Sequence, residues 1–519
     1  MNFLRSVSSV GGWTVISRVT GYFRDLMLAH FIGVSSVSDA IALTMKLPAF
    51  FRRLFAEGAF HVSFLPVFSD LLEKKKKNAA LGDPFSFANN AFSWLFLTVL
   101  ALVLLVEWQM PAFISLVFPG LYDKPETMTL VIRLGRISFP YILFISLASF
   151  FGSLLNAFER FAFLAASHAI GNFFIIGFFC FFVASSNDYG KLFTWSLMLS
   201  GIVQWLCVFL ACWYNGLRIQ FCLPTLSPSM RQFLKRLGPG MLGIGVVQIN
   251  MLIGFYFGSH LPSGGISYLY YADRLNQLPL SIVGISLSSV LLPILVRDIH
   301  SGQVFKANKI QNHAIRFAIS IACPLMTVTL CLALPIAAIL FGHGRLTPYD
   351  VKEVARTIAA FSVGIPAYIM IKIMNTRFFA EGEMRTPIYA GLVGMAIDVA
   401  LNLLLIPLWA HIGIALAIGF SAWAQAFFLI MRLSKKQAWA LNLASKKFLK
   451  KMVMICIVLG LFLVSARRWL PSFELLSLGK QLGYLLSLIF MGCILFIGLC
   501  WQMKVFSVRQ LRVVWRASS

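Results

Sequence analysis

Long apolar stretches recur along the whole chain, and they restrict the possible folds more than any other feature. Residues 452–466 and 481–503 contain no Asp, Glu, Lys or Arg. About 20 apolar residues suffice for a helix to cross the hydrocarbon core of a bilayer. Only 12% of the 519 residues are charged, whereas soluble proteins contain about 25%. The sequence therefore predicts an all-α polytopic membrane protein and excludes a soluble enzyme, a disordered chain and a disulfide scaffold.

Hydropathy predicts about fourteen transmembrane helices, of which the first two contain charged residues. The even number places both termini on the same side of the membrane. The predicted spans are residues 10–31, 37–61, 86–106, 130–153, 162–184, 192–214, 238–258, 268–295, 314–340, 354–378, 386–407, 411–431, 451–467 and 481–502.

The distribution of basic residues along the chain predicts on which side of the membrane the two termini lie. Of the 44 Lys and Arg residues, 28 fall in the N-terminal segment, one set of alternate connections and the C-terminal tail, and 8 fall in the other set. Positive residues accumulate on the cytoplasmic side. Both termini are therefore expected in the cytoplasm, and the protein is expected in the cytoplasmic (inner) membrane. The net charge of +25 is explained by these connections, and no nucleic-acid partner is expected.

Three proline motifs occur twice, which indicates an internal duplication. Each pair is separated by 226 to 231 residues, the length of about six spans, so both copies have the same orientation in the membrane. Such parallel repeats form the two halves of many transporters. The pairs are Pro48 with Pro279, Pro66 with Pro293, and Pro140 with Pro366.

The repeat predicts two pseudo-symmetric six-helix lobes followed by two further helices. The N-lobe is assigned to residues 1–215 and the C-lobe to residues 216–432. Residues 433–519 hold the last two spans and a basic cytoplasmic tail. A cavity between two such lobes is the usual arrangement in transporters.

Charged residues inside the first two spans predict a polar interior. Charge at membrane depth is costly and usually functional. In span 1 the polar side chains share an arc of about 120° on a helical wheel. Span 2 has a polar stripe along one face, and Arg52 lies on another side of the helix. Internal ion pairs, of Asp39 with Lys46 and of Arg53 with Glu57, would also explain the stripe. The arc comprises Thr14, Ser17, Arg18, Gly21, Arg24 and Asp25, and the stripe comprises Asp39, Lys46, Arg53 and Glu57.

Span 8 adds a further deep charge pair, Asp273 and Arg274. Arginine is always protonated, and its planar fork matches phosphate and carboxylate oxygens two at a time. The excess of deep arginines therefore predicts a cavity for an anionic group such as a phosphate or a pyrophosphate.

Span 11 places Asp398 and Asn402 four residues apart, so both side chains share one face of the helix. Their oxygens suit a small hard cation, and Gln248 and Asn250 of span 7 are further candidate ligands. A hydrogen bond between helices explains the same residues. No metal site of His and Cys residues and no catalytic constellation is found, so a transporter without a catalytic site is expected.

Several long motifs resemble the MurJ (MviN) family. They are SRVTGYFRDLMLAHFIG, SDAIALTMKLPAFFRRLFAEGAFHVSFLPVFSD, ISFPYILFISLASFFGSLLN, YYADRLNQLP and LLPILVRD. The family consists of lipid II flippases of the MOP exporter superfamily, used in bacterial peptidoglycan synthesis. The resemblance implies fourteen helices, two lobes that open alternately, and a groove at the last two helices for the polyprenyl tail.

The resemblance also implies a set of site residues. The family's essential cavity arginines fall on Arg18, Arg24, Arg52, Arg53 and Arg274, and their acidic neighbours fall on Asp25, Asp39 and Glu57. Some relatives bind sodium among helices 7, 11 and 12. At Asp398 and Asn402 the order of acid and amide is reversed relative to that pattern, with Asn250 as a further candidate.

The leading hypothesis is therefore a flippase that moves undecaprenyl-pyrophosphate-linked peptidoglycan precursor, lipid II, from the inner to the outer leaflet of the cytoplasmic membrane. Three alternatives remain: a flippase for another polyprenyl-linked oligosaccharide, a MATE-like cation or drug antiporter, and a membrane glycosyltransferase. The arginine excess disfavours the antiporter, and the loops offer no carboxylate pair for a transferase. Energy is expected from Na⁺ or from the membrane potential, and the expected partners are lipid II, membrane lipids and the cell-wall synthesis machinery.

Overall fold

The computed structural model describes residues 3–53, 59–76, 83–435, 443–468 and 476–505. Within these ranges the regular structure is helical and no β-strand occurs. The all-α prediction is thereby confirmed. The chain forms two compact units, Met1–Ser267 and Tyr268–Ser519, which we describe one at a time.

The first unit is built around α8, which packs against α1 on one side and α9 on the other, while α9 also packs against α7. Phenylalanine side chains fill the space among α3, α4 and α7, with Phe64 and Phe150 completely buried. The helices are α1 (Phe3–Ile32), α2 (Ser36–Phe51), α3 (Ala59–Lys76), α4 (Pro84–Trp108), α5 (Met110–Val117), α6 (Pro125–Ser138), α7 (Tyr141–Ala157), α8 (Ala162–Phe182), α9 (Tyr189–Tyr214), α10 (Pro228–Ser259) and the start of α11 (Gly265–Pro279).

The second unit is centred on α16, which packs against α12, α13 and α17. The helix α18 lies against α13, and α19 lies against α18 and α14. A π-helical turn, Leu280–Ile285, joins α11 to α12. The remaining helices are α12 (Ser286–His300), α13 (Val304–Cys331), α14 (Ala333–Phe341), α15 (Pro348–Ser362), α16 (Ile365–Ala380), α17 (Arg385–Lys435), α18 (Leu443–Arg468) and α19 (Leu478–Gln502).

Nine helical segments in the described ranges are long and apolar enough to cross a membrane. One of them, α17, has 51 residues and covers two predicted spans. Its two halves meet at Ala410, whose φ of 44° and ψ of −122° break the helix. A Cβ on Gly413 would lie 2.5 Å from the Leu405 carbonyl oxygen, so the two halves pass very close together. The total of fourteen spans is consistent with this structure and stays a prediction.

Several predicted spans are two helices in sequence. Span 130–153 is divided into α6 and α7 next to Pro140, and span 354–378 is divided into α15 and α16 next to Pro366. These two prolines are partners in the sequence repeat. Proline has no N–H and disrupts the helix before it, so the duplicated prolines produce the same break in each half of the chain. The assignment of two lobes and a C-terminal pair stays a prediction.

Local side chains determine where several helices begin. The Ser35 hydroxyl accepts from the Ser38 amide at the start of α2, and Asp83 accepts from the Ser86 amide at the start of α4. These bonds satisfy amides that have no partner inside the helix. Lys75 donates to Asp83 at 2.7 Å, and this bond lowers the pKa of the Asp83 carboxyl.

Candidate functional site

An arginine fork lies at the polar arc of α1. Arg24 Nε and Nη2 donate to Oδ1 of Asp25 at 3.1 and 2.9 Å. The Asp25 residue is only 2% exposed, and the Arg24 side chain is 12% exposed. A buried ion pair of this kind is costly to desolvate unless further hydrogen bonds support it.

One such hydrogen bond comes from α8. Arg24 Nη1 donates to Asn172 Oδ1 at 3.1 Å, and Asn172 Nδ2 donates to the Ser17 carbonyl at 3.0 Å. Gly21 lies between these two contacts on α1, where a Cβ would lie 3.3 Å from Asn172 Nδ2. The polar arc predicted for α1 is therefore packed in part against α8.

A second polar chain begins one turn earlier on α8. His168 Nδ1 lies 3.0 Å from Gln204 Oε1 on α9, and Gln204 Nε2 lies 3.4 Å from the Tyr141 hydroxyl on α7. The sequence analysis did not identify His168, Asn172, Gln204 or Tyr141. Their signal was the spacing of His168 and Asn172, which are four residues apart in an apolar helix and therefore share one face.

The other cationic candidates of the first unit differ in exposure. Arg18 and Arg53 are exposed, whereas Arg52 and Lys46 are half-buried. The Lys46 ammonium lies 5.7 Å from the centre of the Phe255 ring. Glu57, the predicted partner of Arg53, lies outside the described residues.

Asp39 is 2% exposed and holds the N-terminus of α11. Its Oδ2 accepts from the Gly264 amide at 2.6 Å, and its Oδ1 accepts from the Ser267 amide at 2.8 Å and from the Ser267 hydroxyl at 2.6 Å. A carboxylate at this position compensates the first amides of the helix and the positive end of its dipole. The ion pair of Asp39 with Lys46 that the sequence allowed is replaced by this N-cap.

Lys124 supports the same region from the connection between α5 and α6. Its ammonium donates to the carbonyls of Ser259, at 2.8 Å, and Leu261. Burial lowers the pKa of Lys124, and the charge of Asp39 opposes that shift. The Gly120 amide donates to the Ser259 hydroxyl at 3.0 Å, so this connection is attached to the C-terminus of α10 at several points.

In the second unit, Arg274 lies on the Tyr270 side chain. Its Nη2 donates to the Tyr270 hydroxyl at 2.9 Å, and its guanidinium carbon lies 4.8 Å from the centre of the ring. Asp273 accepts from Gln277 Nε2 at 2.5 Å. Arg274 is half-buried, and a cation over an aromatic face is oriented as well as stabilised.

Asp398 and Asn402 are buried within α17, at 2% and 0% exposure. Asp398 Oδ1 and both polar atoms of the Asn402 amide have no hydrogen-bond partner of good geometry among the described residues. The cation site and the hydrogen-bond explanation both stay predictions. Asn250, on α10 of the first unit, is exposed. No group of three His, Cys, Asp or Glu residues suited to a metal occurs within the described ranges.

The helices α18 and α19 expose much of the apolar surface of their charge-free stretches, residues 452–466 and 481–502. Ile457 and Leu461 on α18 are 58% and 65% exposed, and Phe490 and Ile494 on α19 are 67% and 57% exposed. Apolar side chains exposed in this way suit a lipid environment.

The sequence model of the family "Lipid II flippase MurJ" matches residues 28–479. The chain belongs to the MurJ lipid II flippase family. A probable lipid II flippase MurJ of Rickettsia prowazekii is 32% identical over 514 residues, which cover 97% of this chain and 98% of the relative. Members of this family transport a lipid and are not catalytic enzymes, and this member is a multi-pass membrane protein.

Solved structures support the same fold. A MurJ structure in an inward closed conformation aligns with a TM-score of 0.79 at 24% identity, covering 94% of this chain and 97% of that one. An inward-facing MATE family transporter of the MOP superfamily aligns with a TM-score of 0.64 at 17% identity, covering 80% and 98%. The resemblance to the MurJ family is thus confirmed, and the MATE-like antiporter remains similar in fold alone.

Proposed function

We propose that this protein moves lipid II from the inner to the outer leaflet of the bacterial cytoplasmic membrane. The observation that carries this proposal is the half-buried guanidinium of Arg24 on the polar face of α1, held between Asp25 and Asn172. It stands in the RVTGYFRD motif of a chain that belongs to the MurJ family. The family's substrate carries a pyrophosphate, and a fixed arginine fork suits that group.

The pyrophosphate is bound by arginines, and the acids near them limit the local positive charge. Arginine keeps its proton at any physiological pH, so the positive charge of these residues does not change with pH. Asp25 and Asp39 are already engaged in hydrogen bonds and therefore act by holding cations and helix ends. The proposed substrate-binding residues are Arg18, Arg24, Asp25, Asp39, Arg52, Arg53, Glu57 and Arg274.

The polyprenyl tail lies along the exposed apolar surface of α18 and α19. These helices contain no charged residue in 452–466 and 481–503, so they offer nothing to a polar headgroup. The protein has both termini in the cytoplasm, as the distribution of Lys and Arg favours. It transports without a catalytic site, and the cell-wall synthesis machinery is its expected partner in the cell.

A cation at Asp398 and Asn402 supplies energy from an ion gradient in this proposal. The unpartnered oxygens of these two buried side chains fit a small hard ion such as Na⁺. Asn250 is the third predicted ligand. The membrane potential is the alternative source of energy.

The test is depletion of the protein in its host. We expect lipid II to accumulate in the cytoplasmic leaflet, where an externally added enzyme that cleaves lipid II cannot reach it. Accumulation of a different polyprenyl-linked oligosaccharide would contradict the proposed substrate. Normal lipid II exposure together with increased sensitivity to cationic drugs would indicate an antiporter instead.

A further inference from the structure

We propose that Asn172 is a positioning residue for the transport of lipid II, because it fixes the guanidinium of Arg24 in the orientation that receives the pyrophosphate. This inference rests on the proposed function and extends it to a residue on α8. Asn172 lies 148 positions from Arg24 in the chain, and its side-chain oxygen accepts from Arg24 Nη1 at 3.1 Å.

The amide of Asn172 is used at both ends. Its oxygen holds Arg24, and its nitrogen donates to the Ser17 carbonyl at 3.0 Å. A side chain that only accepts, or only donates, cannot make both bonds. Asn172 therefore ties two turns of α1 to α8 and orients its own oxygen toward the guanidinium.

Asp25 alone cannot fix the fork. Arg24 Nε and Nη2 both donate to the same oxygen, Asp25 Oδ1, so a single atom holds one edge of the guanidinium. Asn172 holds Nη1, on another edge of the planar group. Two fixed edges define the plane, and an oriented plane is what distinguishes arginine from a point charge.

The amide of Asn172 is neutral, and this affects the net charge around Arg24. Asp25 already contributes one negative charge beside Arg24. A second carboxylate at residue 172 would hold the guanidinium at least as well, but it would cancel the positive charge that attracts a phosphate. Asn172 orients Arg24 without reducing its net charge.

Gly21 provides the space for this contact. A Cβ at residue 21 would lie 3.3 Å from Asn172 Nδ2, closer than an unstrained contact, so the amide would have to move. Gly21 lies on α1 between Ser17 and Arg24, and a larger side chain there would displace the same amide.

The experiment measures the dissociation constant of lipid II for purified wild-type protein and for the variants Asn172→Ala, Asn172→Asp, Arg24→Ala and Asn172→Ala/Arg24→Ala. We expect Asn172→Ala to weaken binding about fivefold to tenfold, which is less than the usual effect of losing a hydrogen bond to a charged group, because the charge of Arg24 remains and only its orientation is lost. Asn172→Asp should weaken binding more than Asn172→Ala, although it retains the acceptor oxygen. The double variant should bind no more weakly than Arg24→Ala.

Gly21→Ala is the second, independent variant. It should weaken binding in the wild-type background and have no additional effect when combined with Asn172→Ala, because the displaced amide is then absent. Its thermal unfolding should stay close to wild type, since alanine favours a helix more than glycine does.

Asn90→Ala is the matched control. Asn90 is a buried amide on α4 that bonds both to the carbonyl and to the amide of Thr225, so its loss has a comparable structural cost at a different place. Any effect of Asn90→Ala on binding should add to that of Arg24→Ala. Equal weakening by Asn172→Ala with and without Arg24 would show a merely structural role and overturn the inference.

The two proposals fail in different ways. If Arg24→Ala weakens binding and Asn172→Ala does not, the positioning role is wrong and the flippase proposal stands. If wild-type protein binds no lipid II, the proposed function is overturned, and the positioning role with it.

Discussion

The contacts of Arg24 distinguish a planar fork from a simple positive charge. Three of its N–H groups reach two residues on different helices, Asp25 and Asn172. A lysine ammonium presents its donors from a single nitrogen and cannot span both partners. The role of this residue therefore depends on its shape as well as on its charge.

We predict that Arg24→Lys impairs transport although the net charge is unchanged, and that Arg24→Ala impairs it more, because Asp25 then stays buried without this cation. The measurement is growth of a flippase-depleted strain that expresses each variant, with folded protein quantified in parallel. Arg218→Lys is the matched control, because Arg218 is exposed and stacks on Trp213. It should support normal growth.

Arg274 is expected to behave in the same way in the second unit. Its guanidinium is oriented by the ring and the hydroxyl of Tyr270. Normal growth and normal lipid II binding with alanine at both Arg24 and Arg274 would remove these residues from the mechanism and contradict the anionic site.

Asp398→Ala tests the cation proposal. If the carboxylate coordinates Na⁺, any sodium dependence of transport in reconstituted vesicles should disappear. The thermal unfolding temperature measured without Na⁺ should change little or rise. A higher unfolding temperature is expected because the substitution removes a buried carboxyl whose Oδ1 has no hydrogen-bond partner among the described residues, and so relieves its desolvation. Transport by wild-type protein that is independent of Na⁺ would leave the membrane potential as the energy source.

Sequence reasoning identified the deep arginines but not their partners. Arg24 and Asp398 stand out because charge is rare in apolar spans. Asn172 does not, because its spacing from His168 shows only that the two side chains share one face of α8, and its importance depends on how α8 packs against α1. That packing joins residues far apart in the chain, which periodicity within one helix cannot reveal.

At the scale of helices, the Asp39 carboxylate caps the N-terminus of α11 by accepting three hydrogen bonds from Gly264 and Ser267. The capped helix, α11, carries Arg274 two turns further on. The start of α11 at Gly265 thus depends on a residue of α2.

We predict that Asp39→Asn destabilises the fold by about 1–3 kcal/mol, because the amide nitrogen must face a backbone donor where an oxygen now accepts. The measurement is thermal unfolding in detergent. Asp83→Asn is the control, since Asp83 caps α4 at an exposed site and its loss should cost about 0.5 kcal/mol or less. Equal effects of the two substitutions would show that burial of the Asp39 cap contributes nothing.

Helix interruptions were only partly predictable. Proline identifies the breaks near Pro140 and Pro366, and the sequence repeat places them in register. The early start of α13 at Val304, ten residues before the predicted span, follows no apolar signal because its first turns are polar. Hydropathy detects the part of a helix inside the membrane and not the part that extends beyond it.

At the scale of the whole molecule, orientation in the membrane is the property most open to a direct test. We predict that Cys substituted at Lys76 or Lys447 reacts with an impermeant thiol reagent only from the cytoplasm, and Cys at the exposed positions Asp123 or Lys352 only from outside. The reason is the distribution of 28 and 8 basic residues between the two sets of segments.

Two native cysteines require replacement first, because Cys180 and Cys493 are exposed and would react with the reagent. The parent protein with alanine at both positions should support growth and give no labelling. Labelling of the Lys76 and Asp123 substitutions from the same side would contradict the assignment of the spans between them.

The junction at Ala410 has a consequence for anyone who wishes to tag or cleave this protein. The two halves of α17 are joined there without a linker, and Gly413 passes against the Leu405 carbonyl. An inserted epitope or protease site would have to unwind a helix end before an antibody or protease could reach it. In the irregular connection between α9 and α10, residues 215–227, the part from Gln220 to Thr225 is hydrogen-bonded to α4. Insertions therefore belong before Gln220, and the hairpin at Ala410 should stay intact in limited proteolysis.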